Sequence, residues 1–160
     1  MFGFRKKAAE PAILEIASPI QGTILSLDNV EDEAFSSRAM GEGIAIEPHE
    51  GKVVAPFSGK LVHLMEKSKH AMILEHDSGV QILIHVGMNT VSLKGEGFIA
   101  HASSGDRITK GQLLLEFDIA AIQEAGYPVV TPIIVPGGQE IIKQVDTSNP
   151  HKDAIIKVTY

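Results

Sequence analysis

Residues Ser68 to Phe98 read SKHAMILEHDSGVQILIHVGMNTVSLKGEGF, and two alternating arms in this stretch decide the fold class. In the first arm, His70, Met72, Leu74 and His76 fall on one face while Ala71, Ile73 and Glu75 fall on the other. In the second arm, Val80, Ile82, Ile84 and Val86 alternate with Gln81, Leu83, His85 and Gly87. A period of two is the signature of strands with one buried face. Asp77-Ser78-Gly79 between the arms is a short turn signal, so the stretch predicts a β-hairpin. A loop of about two to four residues sets His85 opposite residue 70, 71 or 72. In the first of these registers the His70 and His85 Cβ atoms stand about 5 Å apart on one face. Two imidazoles meeting on a strand surface, flanked by Met72 and Leu83, are a candidate site.

Working outward, the 160-residue chain suits one domain with a sizeable core, at 44% hydrophobic and 21% charged residues. A formal net charge of −6 argues against nucleic acid as a partner, because phosphate contacts need a basic surface. With no cysteine, disulfides, thiolate metal sites and cysteine nucleophiles are excluded. No apolar run approaches the roughly 18 residues of a membrane span, and no signal-peptide pattern follows the basic start. A cytoplasmic protein is expected. Residues 1–11 (MFGFRKKAAEP) read as a flexible tail, with residues 12–160 as a single domain. Phe2, Phe4, Arg5, Lys6 and Lys7 give the tail at most a weak contact with a membrane surface.

From Ala12 onward the pattern is β, with short Ile- and Val-rich runs broken by Gly, Pro and Asp-Asn. An internal repeat is visible: SPIQGTILSL from Ser18 aligns with APFSGKLVHL from Ala55, offset by 37 residues. A fainter third copy begins at Thr131-Pro132. Each copy reads as a strand entered through proline and bent at glycine. Val30–Met40 breaks the pattern with a helical turn or loop around Phe35, and Asp118 caps a short helix through Ala125. Closing strands are predicted at Val129–Val135, Glu140–Gln144 and Ala154–Val158. The expectation is an all-β fold: an antiparallel β-sandwich or barrel-like structure with a duplicated β motif and one or two short helices.

The run ILIHVGMNTVSLKGEGF, with KHAMI and GEGIAI upstream, resembles the glucose-type IIA domain of the bacterial phosphoenolpyruvate-dependent sugar phosphotransferase system. SPIQG, VVAPFSG, SGDRITKGQ and LLEFD fit the same pattern, so the resemblance covers Ile16 to Val158. It implies an enzyme component that carries a phosphoryl group on histidine, taken from HPr and passed to the IIB domain of a sugar permease. The acceptor falls on His85 and its companion on His70. His85 Nε2 would attack while Nδ1–H donates to a carbonyl of the Val86-Gly87 backbone, with Gly87 allowing close approach. His70 would stabilise the phosphoryl group, and Ser68, where threonine is usual, would orient an imidazole. Phe35, Met40, Met72 and Leu83 are the candidate docking residues. No cofactor is required by this reading.

Two further readings compete. Zinc could sit on His70 and His85, but a catalytic site wants a third protein ligand, and the H-x-H pair of related zinc peptidases is His85-Val86-Gly87 here. A swinging-arm carrier would need a modified lysine at a hairpin tip; Lys67 and Lys69 are at hand, but the tip motif is missing. A regulatory role toward transporters or enzymes would add to phosphotransfer. Two positions depart from the family: Asn89 stands where aspartate is usual, and Glu66 where an aromatic residue is common.

Overall fold

The computed structural model describes residues 10–160, so the membrane contact expected of residues 1–7 and most of the expected tail lie outside the described residues. The strands are β1 (Ile13–Ile16), β2 (Gly22–Leu25), β3 (Gly41–Pro48), β4 (Lys52–Val54), β5 (Gly59–Leu64), β6 (Ala71–His76) and β7 (Gln81–His85). After these come β8 (Phe98–Ala100), β9 (Arg107–Ile108), β10 (Leu113–Phe117), β11 (Thr131–Pro136), β12 (Gln144–Asp146) and β13 (Ile156–Thr159). Two short helices interrupt them, α1 (Glu33–Ser36) and α2 (Ile119–Glu124). The strands form three open sheets: β1-β13-β12, β4-β10-β8, and the seven-stranded β2-β3-β11-β7-β6-β5-β9. All the strand pairings are antiparallel, as the alternating pattern requires.

The repeat has a structural counterpart. β2 and β5 each begin at the aligned glycine, Gly22 opposite Pro48 and Gly59 opposite His76. A Cβ there would lie 2.2 Å from the Glu47 carbonyl oxygen at Gly22 and 1.9 Å from that of Glu75 at Gly59, so both copies use glycine for close approach to a neighbouring strand. Both helices are capped by aspartate, Asp118 as expected and Asp32 in addition. The Asp32 carboxylate accepts from the Ala34 N–H at 2.9 Å, and Asp118 accepts from the Ala121 N–H at 3.0 Å. The strand expected over Glu140–Gln144 begins instead at Gln144. Gln139 explains part of this, because its side-chain amide pairs with the backbone N–H and C=O of Gln81 at 2.7 and 2.9 Å. A side chain there substitutes for a strand partner.

Apolar side chains pack on both faces of the large sheet. On one face Ile44, Ile46, Leu74, Ile82, Ile84 and Ile133 join the main core; on the other, Ala45 and Ile134 join Leu27, Val30, Phe35 and Met88. The second cluster is the one that matters for the site, because α1 closes it. Truncating Leu74 to alanine, which is 0% exposed, should cost about 2–5 kcal/mol in urea unfolding followed by circular dichroism. Ile13→Ala, at a 63% exposed position, should stay within about 0.5 kcal/mol of the unsubstituted protein.

Candidate functional site

The β6–β7 hairpin adopts the middle of the three registers: His85 pairs with Ala71, Met72 with Ile84 and Leu74 with Ile82. Met72 therefore faces the core at 1% exposure, and the expectation that it flanks the histidines is corrected. A one-residue difference in register exchanges the faces of a strand, which is why alternation alone misplaced it. His70 lies just before β6, after Lys69 in the left-handed region at φ 54°, so the strand's pleat does not govern its direction. Its ring still meets that of His85, with centroids 4.7 Å apart and planes nearly perpendicular at 88°.

His85 closes β7, and its Nδ1 lies 2.8 Å from the Gly87 carbonyl oxygen. A carbonyl can only accept, so the neutral ring carries its proton on Nδ1 and leaves the Nε2 lone pair free. Gly87 has φ 75°, and a Cβ there would lie 2.5 Å from Thr90 Cγ2 and 2.7 Å from the Pro128 carbonyl oxygen. Only glycine fits this turn. His70 is buried at 5% exposure, with Nδ1 2.7 Å from the equally buried Ser68 hydroxyl. Phe35 of α1 stands 5.1 Å from the His85 ring, centroid to centroid, and is itself 3% exposed. It forms a wall of the site and cannot present a docking surface, a second correction to the expected contact set. Leu83 is half-buried against the same cluster.

Met40 is 41% exposed, but its neighbour Gly41 pairs with Pro136, whereas β11 meets β7 at Ile133 and Ile134. Two exposed apolar residues escaped the sequence reading. Val91 (51% exposed) follows the Gly87 turn, and Met65 (38%) exchanges backbone hydrogen bonds with Lys69 and Ala71 beside His70. Neither sits in an alternating strand, so periodicity gave no signal for them. Asn89 is exposed at φ 60°, a left-handed position that asparagine and aspartate both tolerate. Glu66 is exposed in the turn before Ser68. His49, His63, His101 and His151 are exposed; His49 lies against Thr23 and His101 against Glu116.

Burial, and then the neighbouring His85, push the His70 pKa down from 6.5 to about 4. Burial also lowers His85, opposed by the Gly87 carbonyl and the Asp32 carboxylate, both of which favour a positive ring. Near neutral pH both imidazoles are uncharged. Among the described residues no group of three or more His, Cys, Asp or Glu could hold a metal ion. His70 and His85 alone supply two nitrogens where zinc takes four ligands, so the residues present do not fit a resident zinc site.

A model of the phosphoenolpyruvate-dependent sugar phosphotransferase system, EIIA 1, matches residues 14–141. The chain belongs to this family. It is thus a phosphotransferase component, and its antiparallel β-fold is the family's. The glucose-specific EIIA component of Oceanobacillus iheyensis is 40% identical over 156 residues, covering 98% of this chain and 88% of the relative. The β-glucoside-specific EIIBCA component of Halalkalibacterium halodurans is 50% identical over 121 residues, which are 76% of this chain but only 19% of that longer protein. The solved glucose permease IIA from Mycoplasma capricolum superposes with a TM-score of 0.74 at 37% identity, covering 89% of this chain and 91% of that one. No helix among the described residues is long and apolar enough to cross a membrane.

The depressed pKa values make the fold sensitive to acid. Unfolding returns each buried imidazole to a pKa near 6.5, so the unfolded chain binds more protons below that value. Stability is therefore full above about pH 6.5 and should fall between there and about pH 4. Urea titrations across this window should show the fall, and His70→Gln should flatten it. Proton NMR should find the His70 ring titrating near pH 4.

Proposed function

We propose that His85 is the phosphoryl acceptor, taking the group from phospho-HPr and passing it to the IIB domain of a sugar permease. One observation carries this reading: the Nδ1 contact with Gly87 leaves Nε2 as a free nucleophile beside a second neutral imidazole. As the new N–P bond forms at Nε2, the donor's N–P bond breaks and its electron pair stays on the donor imidazole. The His85 ring, having given its lone pair, gains positive charge. The Gly87 carbonyl and the Asp32 carboxylate both offset that charge. The protonated ring remains a good leaving group for the second transfer.

His70 donates Nε2–H to a phosphoryl oxygen, and the Ser68 hydroxyl, turned to donate to Nδ1, sets that tautomer. Because His70 starts uncharged, its proton answers the arriving negative charge without an imidazolium having been kept buried. Transfer between two proteins depends on positioning more than on covalent assistance. Val91, Met65 and half-buried Leu83 give the partner an apolar rim against which to exclude water. Residues 12–160 act as one domain on the cytoplasmic side, where this chemistry has its phosphoenolpyruvate. Relatives named for glucose and for β-glucoside support a sugar permease of the glucose class.

Intact-mass analysis after mixing with phosphoenolpyruvate, enzyme I and HPr tests the assignment. One added phosphate, stable in base and lost in acid, is expected, and none in His85→Ala. His70→Ala should still accept phosphate but deliver it to IIB roughly 100-fold more slowly. Phosphate retained by His85→Ala would move the acceptor elsewhere, and undiminished delivery by His70→Ala would remove His70 from the transfer.

A further inference from the structure

We propose that Thr90 is a positioning residue for the phosphoryl acceptor: its hydroxyl, together with the Pro128 carbonyl, clamps the turn that aims the Gly87 carbonyl at His85. The proposal rests on the reading of His85 as acceptor. It starts from an unusual dependence, in that the group fixing the His85 tautomer is a backbone carbonyl with no side chain of its own to hold it. The direction of that carbonyl is decided by the peptide planes on either side of Gly87.

Three consecutive peptides are each tied to a different part of the chain. The Val86 N–H donates to the His70 carbonyl at 2.7 Å. The Val86 carbonyl accepts from the Thr90 hydroxyl. The Met88 N–H donates to the Pro128 carbonyl at 3.1 Å. In a trans peptide the N–H and C=O point in opposite directions. Holding the Met88 N–H toward Pro128 therefore turns the Gly87 oxygen the other way, toward His85 Nδ1. Thr90 fixes the preceding plane and is 0% exposed. Its methyl also fills the space beside Gly87, 2.5 Å from where a Cβ would lie.

Without the hydroxyl, the Val86 carbonyl loses the side-chain donor that restrains its peptide, and the plane is free to rotate. The Gly87 oxygen then drifts from Nδ1, and the His85 proton can move to Nε2, which removes the attacking lone pair. The same loosening weakens the hold on Nδ1–H after phosphorylation, so donation slows along with acceptance. A residue that only packed the turn would have neither effect.

Two substitutions separate these roles. Thr90→Val keeps the shape and loses the hydroxyl; Thr90→Ser keeps the hydroxyl and loses the methyl. Imidazole 15N resonances of His85 report the tautomer, and rapid-quench assays with phospho-HPr report the rate of acceptance. The Ser variant should keep the Nδ1–H tautomer and a near-normal rate. The Val variant should show mixed tautomers and a rate about tenfold lower or more. A Val variant with the original tautomer, or an altered tautomer with an undiminished rate, overturns the proposal. If the Val variant does not fold, Thr90→Ala removes the hydroxyl without added branching and faces the same two readouts. Phosphate appearing on His85→Ala would instead overturn the acceptor assignment, a separate result.

Discussion

The register of β6 against β7 is the constraint on which the site depends. Met72, Leu74, Ile82 and Ile84 are each 1% exposed or less, and together they commit one face of the hairpin to the core. A slip of β7 by a single residue would turn Ile82 and Ile84 away from the main core and bring Leu83 and His85 onto it in their place. Burying a large apolar side chain is worth roughly 1.5–3 kcal/mol, and putting an imidazole in the place of Ile84 forfeits it, so the slip is not an available fluctuation. The direction of His85 is thus a by-product of core packing. The proposed acceptor needs no dedicated scaffold beyond the hairpin, which β5 and β11 flank in the large sheet.

Around that fixed ring, polar groups are arranged so that protonation is a matter of geometry. A carbonyl faces His85 Nδ1, a hydroxyl faces His70 Nδ1, and the Phe35 ring packs against that of His85. Burial keeps both rings neutral, while the dipole of the Gly87 carbonyl and the charge of Asp32 favour the cation that the proposed transfer would create on His85. Interactions that strengthen as charge develops are the ones that accelerate a reaction.

Much of this was legible in the sequence because much of it is local. The hairpin, the repeated proline–glycine strand entries and the Asp118 cap of α2 are written within a few residues of where they act. The resemblance carried His70, Ser68, His85 and Gly87 as a set, and the fold brings these four together. What local pattern could not supply was the register, since several turn lengths suited Asp77-Ser78-Gly79, and with it went the placement of Met72. Phe35 reaches His85 across 50 positions of sequence, a contact that no periodicity encodes. Thr90 and Pro128 act on backbone groups, where residue type leaves little trace.

The pairing of β1 with β13 has an architectural consequence. Ile13 lies opposite Thr159, and Ala12 and Tyr160 exchange backbone hydrogen bonds at 2.9 Å. The two ends of the folded unit therefore leave side by side, from a sheet separate from the one that carries the histidines. A unit built this way behaves like a bead on a single stalk: a tether at either end starts from the same corner and need not wrap the fold. The homologous segment in the Halalkalibacterium EIIBCA protein makes up 19% of a longer chain. Tethering of that kind replaces collision in bulk solution by a high local concentration set by linker length. The same β-fold is then compatible with a free-standing unit or a tethered one, since its ends lie on a sheet apart from the histidines.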